Sequence, residues 1–106
     1  GDGEQSRDLC YVDNVVEANI LAAKASRTFK GEGINIACGD RTSNNEILDA
    51  FAKKFKFEID QQPFRVGDIM HTQADISYAK EMLGYEPVVR FWDGFEKTLD
   101  WWGLND

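Results

Sequence analysis

No glycine-rich GxGxxG turn occurs in these 106 residues. Gly1-Asp2-Gly3 does not qualify, because it lacks the preceding strand, the third glycine and the following helix. Nor does any tyrosine have a lysine four residues on: Tyr11 is followed by Val15, Tyr78 by Met82 and Tyr85 by Val89. The chain is therefore expected to bind no dinucleotide by itself and to carry no Tyr/Lys catalytic pair. Histidine occurs once, as His71, and cysteine twice, as Cys10 and Cys38, far apart. That leaves no ligand set for a structural zinc site and favours two reduced thiols acting as small apolar residues. No uncharged stretch approaches the ~20 residues of a membrane span. No basic, apolar leader is visible, and the expected location is the cytoplasm. Basic charge is also scarce, with 12 Lys and Arg against 19 Asp and Glu, a net −7. Such a surface repels a phosphate backbone, which excludes general nucleic-acid binding and still permits one local pocket for a small anion.

What is present reads as a globular α/β chain. Hydrophobic residues make up 42% and include seven Phe, three Trp and three Tyr, enough for a modest core in at most one domain. Gly1-Asp2-Gly3 reads as a hairpin tip whose returning strand ends near Leu9-Cys10-Tyr11-Val12. The outgoing strand is expected upstream of Gly1. Asp13 before Val15, Val16, Ile20 and Ala23 predicts an N-cap and a helix over 13–26. Ile34-Asn35-Ile36-Ala37 alternates and predicts a short strand. Ser43 with Glu46 forms a capping box for a helix over 43–55, with Ile47, Leu48, Phe51 and Phe55 on one face. Residues 57–59 could form another strand, leading into an extended run through Pro63 to Met70. Asp75 predicts the cap of a third helix that turns Ile76, Ala79, Met82 and Leu83 inward, and Gly84 its left-handed end. Asp93 and Glu96 make another capping box, for a last helix over 93–102. Trp101 and Trp102 read as core plus partial surface. Four helices with two or three short strands leave the sheet looking incomplete.

Two of the five arginines stand beside features that suit anion binding. Arg7 follows the first turn, and Arg65 lies in the extended Pro-Phe-Arg-Val-Gly-Asp loop. A guanidinium binds phosphate through paired donors. Asp68, three residues after Arg65, could accept hydrogen bonds from a diol such as ribose, or from its own backbone in a turn. His71 has no nucleophile or acid at motif spacing and reads as structural.

Three blocks, GDGEQSRDLCYVDNVVEANILAA, INIACGDRTSNNEI and FRVGDIMHTQADISYAKEMLGYEP, taken in order, resemble the C-terminal part of extended short-chain dehydrogenases/reductases. Within that family they are most similar to nucleotide-sugar 4-epimerases of the UDP-N-acetylglucosamine 4-epimerase type. The resemblance covers residues 1–102. It implies a C-terminal, substrate-binding fragment of a Rossmann-type enzyme whose NAD-binding part, with the glycine-rich turn and the Tyr/Lys pair, lies upstream. It implies that Arg7 and Arg65 contact the diphosphate of a UDP-hexose or UDP-N-acetylhexosamine and that Asp68 meets the ribose. It implies NAD as the parent's cofactor, none bound by this chain, and a strand at 34–37 that has lost its neighbour. Self-association through bare faces is then expected. A 4,6-dehydratase or decarboxylase on the same scaffold, or a non-catalytic nucleotide-sugar binding or assembly module, remains open at this point.

Overall fold

The computed structural model describes residues 1–105. Its elements in order are β1 (Ser6–Arg7), α1 (Val12–Lys24), β2 (Thr42–Ser43), α2 (Asn44–Ala52), α3 (Ser77–Leu83) and α4 (Phe91–Trp101). The four predicted helices are present. β1 and β2 pair antiparallel, Ser6 opposite Ser43 and Arg7 opposite Thr42. On the other side of β1, Ser6 forms a parallel bridge to His71. Ser6 N–H donates to the Met70 carbonyl at 2.9 Å, and Thr72 N–H donates to the Ser6 carbonyl at 3.1 Å. β1 is thus the middle of three short extended segments drawn from distant parts of the sequence.

The core is small. Ala18, Ala37, Ile76, Ala79 and Tyr85 form its buried centre, with Leu21, Ile34, Ile36, Ala74 and Leu83 packed around it. Asn14, fully buried on α1, ties that helix to the chain before α4. Its amide donates to the Val89 carbonyl at 2.8 Å, and its oxygen accepts the Val88 and Val89 amides at 2.8 and 3.0 Å. A second cluster is aromatic, where Phe51 of α2 meets Phe95 of α4 edge-on at 5.2 Å.

Several expectations need correction. Residues 34–37 and 57–59 are not strands, because neither stretch finds a pairing partner among the described residues. Ile34 and Ile36 pack on the core instead. The strand expected to end near Leu9–Val12 is β1, which is only two residues long and ends at Arg7. Asp13 is not the cap of α1: Tyr11 holds that position in extended backbone, and Asp13 lies in the first turn. Asp75 does not cap α3 directly; Ile76 stands at the cap, and the Asp75 carboxylate accepts the Ser77 amide at 2.9 Å. Asp93 and Glu96 form no capping box, since α4 already starts at Phe91 after an extended Arg90. Trp101 and Trp102 are both mostly exposed, so neither is core. Val15, Val16 and Ile20 are also exposed, because α1 buries Asn14 and Ala18 instead.

Two end signals stand as read. Ser43 and Glu46 form a reciprocal capping box on α2, each side chain bonded to the other's amide. Gly84 closes α3 in the left-handed conformation at φ 66°.

Candidate functional site

The site grows from the end of β1. The three-segment pairing fixes Ser6, and Arg7 beside it is half-buried. The Arg7 guanidinium donates through Nη1 to the Ser6 carbonyl at 2.8 Å and to the Met70 carbonyl at 3.2 Å. Through Nη2 it meets Asp68 Oδ1 at 3.3 Å, an ion pair closed across 61 residues of chain. An arginine carries five N–H donors. These contacts leave Nε–H and one Nη2–H uncommitted, a pair suited to one phosphate group.

Asp68 is placed by a turn. Its amide donates to the Arg65 carbonyl at 3.1 Å, and Gly67 sits between them at φ 83°. A positive φ at the third position is what a type II turn requires, and glycine supplies it without strain. The Arg-x-Gly-Asp spacing is thereby explained: the turn brings Asp68 back toward the Arg65 backbone. Arg65 itself is exposed, and its guanidinium has no hydrogen-bond or ion-pair partner among the described residues. The structure therefore joins Arg7 with Asp68 and sets Arg65 in the same turn as Asp68.

His71 is held as a structural residue. Its Nδ1 lies 2.7 Å from Ser6 Oγ, next to the backbone bridge. Several cavities lie elsewhere, two of them beside residues already named. One of about 490 Å³ is lined by Gly39, Gln73, Asp75 and Lys80. The other, of about 380 Å³, is apolar and lined by Leu9, Tyr11, Phe51, Phe91 and Phe95. Neither includes Arg7, Arg65 or Asp68, so the charged site is an open edge rather than a closed pocket.

Asp8, which the sequence offers only as a carboxylate that could pair with Asp13, is committed to backbone amides instead. Its Oδ1 accepts the Cys38 amide at 3.0 Å, and its Oδ2 accepts the amides of Gly39 at 2.9 Å and Ala74 at 3.2 Å. Nothing at local spacing signals these partners, which lie at least 30 residues away. Cys38 beside it is buried, and burial pushes its thiol above the usual range; the half-buried Cys10 is raised for the same reason. Both cysteines are free.

A dinucleotide cradle needs a strand, a glycine-rich turn and a helix in succession. Here β1 leads to α1 through Asp8-Leu9-Cys10-Tyr11, and β2 runs directly into α2. These residues do not fit that cradle. No group of three or more metal-ligating side chains occurs among the described residues, and no described helix is long and apolar enough to cross a membrane.

With this geometry in place, the chain can be compared with known proteins. Residues 1–37 match the model of the NAD dependent epimerase/dehydratase family. The chain is 33% identical to a UDP-glucose 4-epimerase of Mycolicibacterium smegmatis, over 94% of its own length and 32% of that protein's. A solved UDP-glucose 4-epimerase of Thermotoga maritima, with UDP-glucose, superposes at a TM-score of 0.83 and 35% identity, over 97% of this chain and 33% of that one. A UDP-N-acetylglucosamine 4-epimerase of Methanobrevibacter ruminantium, in complex with UDP-N-acetylmuramic acid, superposes at 0.71 and 36% identity, over 93% and 30%. The fold is thus that of one part of Rossmann-type epimerases, and the chain spans about a third of the length of the relatives it matches. Its first 37 residues match the NAD dependent epimerase/dehydratase family, and its homologues along nearly its whole length include UDP-sugar 4-epimerases.

Proposed function

We propose that this chain is the C-terminal, substrate-holding part of a longer NAD-dependent nucleotide-sugar 4-epimerase. The observation that carries the reading is the Arg7–Asp68 pair, closed across 61 residues at one open edge with Arg65 in the adjoining turn. Arg7 and Arg65 bind the diphosphate of a UDP-sugar, and Asp68 accepts from the ribose hydroxyls. Bound NAD would supply the hydride chemistry at the sugar C4. We assign its binding to polypeptide outside this chain, because no strand–glycine turn–helix unit is present among the described residues. The work of these residues is to anchor the nucleotide while the sugar turns. The isolated chain is inactive in this account, and its bare apolar faces draw a second copy of itself.

The test is turnover of UDP-glucose and UDP-N-acetylglucosamine by the full-length parent, with sugar products identified by NMR. The 4-epimer is expected from the parent and no product from residues 1–106 alone. The family also includes dehydratases; a 4-keto-6-deoxy product would move the parent to that reaction. Turnover by the 106-residue chain would contradict the division of labour.

A further inference from the structure

Asp8 follows Arg7 directly, yet its carboxylate faces three backbone amides and no cation. The Gly39 amide is presented by a turn at φ 73°, a conformation that suits glycine. The Cys38 and Gly39 amides together make a small concave donor pair of the kind that receives an anion. The third bond is the informative one. β1 and the 70–74 segment pair through Ser6 N–H to Met70 O and Thr72 N–H to Ser6 O. Two residues further on, the Ala74 amide has moved off the β1 backbone and onto the Asp8 side chain at 3.2 Å. Asp8 therefore extends the pairing past the last backbone bond and pins the 70–74 segment to the 38–39 turn. That segment carries the Met70 carbonyl that Arg7 grips. Asp68, the ion-pair partner of Arg7, lies two residues before it.

We propose that Asp8 is the positioning residue of the anion site: it sets the register of the 68–74 segment against β1 and so holds Arg7 opposite Asp68. The inference rests on the reading of Arg7 as a diphosphate ligand. It adds that the affinity of this edge depends on a carboxylate that touches neither substrate nor cofactor. Asp8→Asn keeps the shape but turns an NH₂ group toward amides that need an acceptor.

The experiment is titration of UDP into the full-length parent, with a melting curve for each variant. Asp8→Asn should weaken UDP binding about five- to twenty-fold. In an Arg7→Ala background the same change should cost less than about two-fold, because coupled residues are not additive. A merely structural role would lower the melting temperature and leave UDP affinity of the folded protein unchanged, and that result overturns the proposal. Should Asp8→Asn not fold, Ala74→Pro removes the third amide donor and should show the same loss with the same dependence on Arg7; an additive loss overturns the proposal. If Arg7→Ala itself binds UDP as tightly as the unaltered protein, the diphosphate reading falls and the positioning role falls with it. If Arg7→Ala weakens binding and Asp8→Asn does not, only the positioning role fails.

Discussion

Tyr85 has no exposed surface, yet it carries a hydroxyl, which donates to the Ala37 carbonyl at 2.7 Å. Burial above all, aided by Cys10, Cys38 and Asp8 nearby and opposed by Arg90, pushes that hydroxyl from 10.0 up to about 12. The folded state therefore prefers the neutral phenol. Its contribution to stability is complete below pH 10 and is lost as pH rises from there through 12, about 2–3 kcal/mol in all. Chemical denaturation across that range should show the unaltered chain losing stability faster than Tyr85→Phe. At neutral pH the Phe variant should be weaker by about 1–2 kcal/mol, since it strands the Ala37 carbonyl. Equal slopes for the two proteins would show that Tyr85 is not the titrating group. At this scale the candidate residues were legible by type alone. Arg7, Arg65 and Asp68 stood out as candidate anion and diol ligands, and a turn signal marked Gly67. The Arg7–Asp68 contact and all three partners of Asp8 lie far along the chain, where local spacing carries no information.

Helix ends show why local rules succeed and fail. Ser43 and Glu46 cap α2 as read, because both halves of that box lie within four residues and need no outside help. Asp13 and Asp93 were assigned as caps because an acid precedes an apolar run. Tyr11 and Arg90 are the extended residues that start those helices, and the acids fall in the first turns, where they still face the positive helix end. Each helix start was thus placed correctly to within two residues. The strand at 34–37 failed differently, since alternation describes a face but does not supply a neighbour. Packing between elements also escapes the sequence. Gly94 of α4 is buried against Tyr11, and a Cβ there would stand 2.7 Å from the Tyr11 Cβ. Gly94→Ala gains roughly 1 kcal/mol of helix propensity but must push α4 off the start of α1. The net change expected is a loss of about 1–2 kcal/mol, read by denaturant unfolding. A more stable Gly94→Ala would mean that α4 and Tyr11 do not meet this closely.

The molecule as a whole is a slab, 51 × 39 × 16 Å, with a radius of gyration of 16.7 Å; a compact chain of this length has about 13 Å. Its accessible surface is 7704 Å², against roughly 6,000 Å² for a compact monomer of this mass. The excess exceeds the ~800 Å² per partner that a stable interface buries. Part of it is the bare stripe of Val12, Val15, Val16 and Ile20 on α1. The sequence carried this feature too: its helix faces had more apolar residues than its strands could cover. Residues 1–106 expressed alone should self-associate, and analytical centrifugation at rising concentration should show dimers or larger species; a folded monomer throughout would contradict the expectation. In the proposed function Arg7 and Arg65 meet one anion at the charged edge. Its most direct test is calorimetric titration of UDP into the full-length parent carrying Arg7→Ala, Arg65→Ala or, as a surface control, Arg27→Ala. Each paired, charge-assisted contact is worth roughly 1.5–3 kcal/mol. The first two variants should therefore bind UDP about ten- to a hundred-fold more weakly, with NAD affinity unchanged. Lysine at either site should restore only part of the loss. UDP binding by Arg7→Ala and Arg65→Ala as tight as that by Arg27→Ala would contradict the account, leaving Arg7 a structural partner of Asp68 and Arg65 a solvated charge.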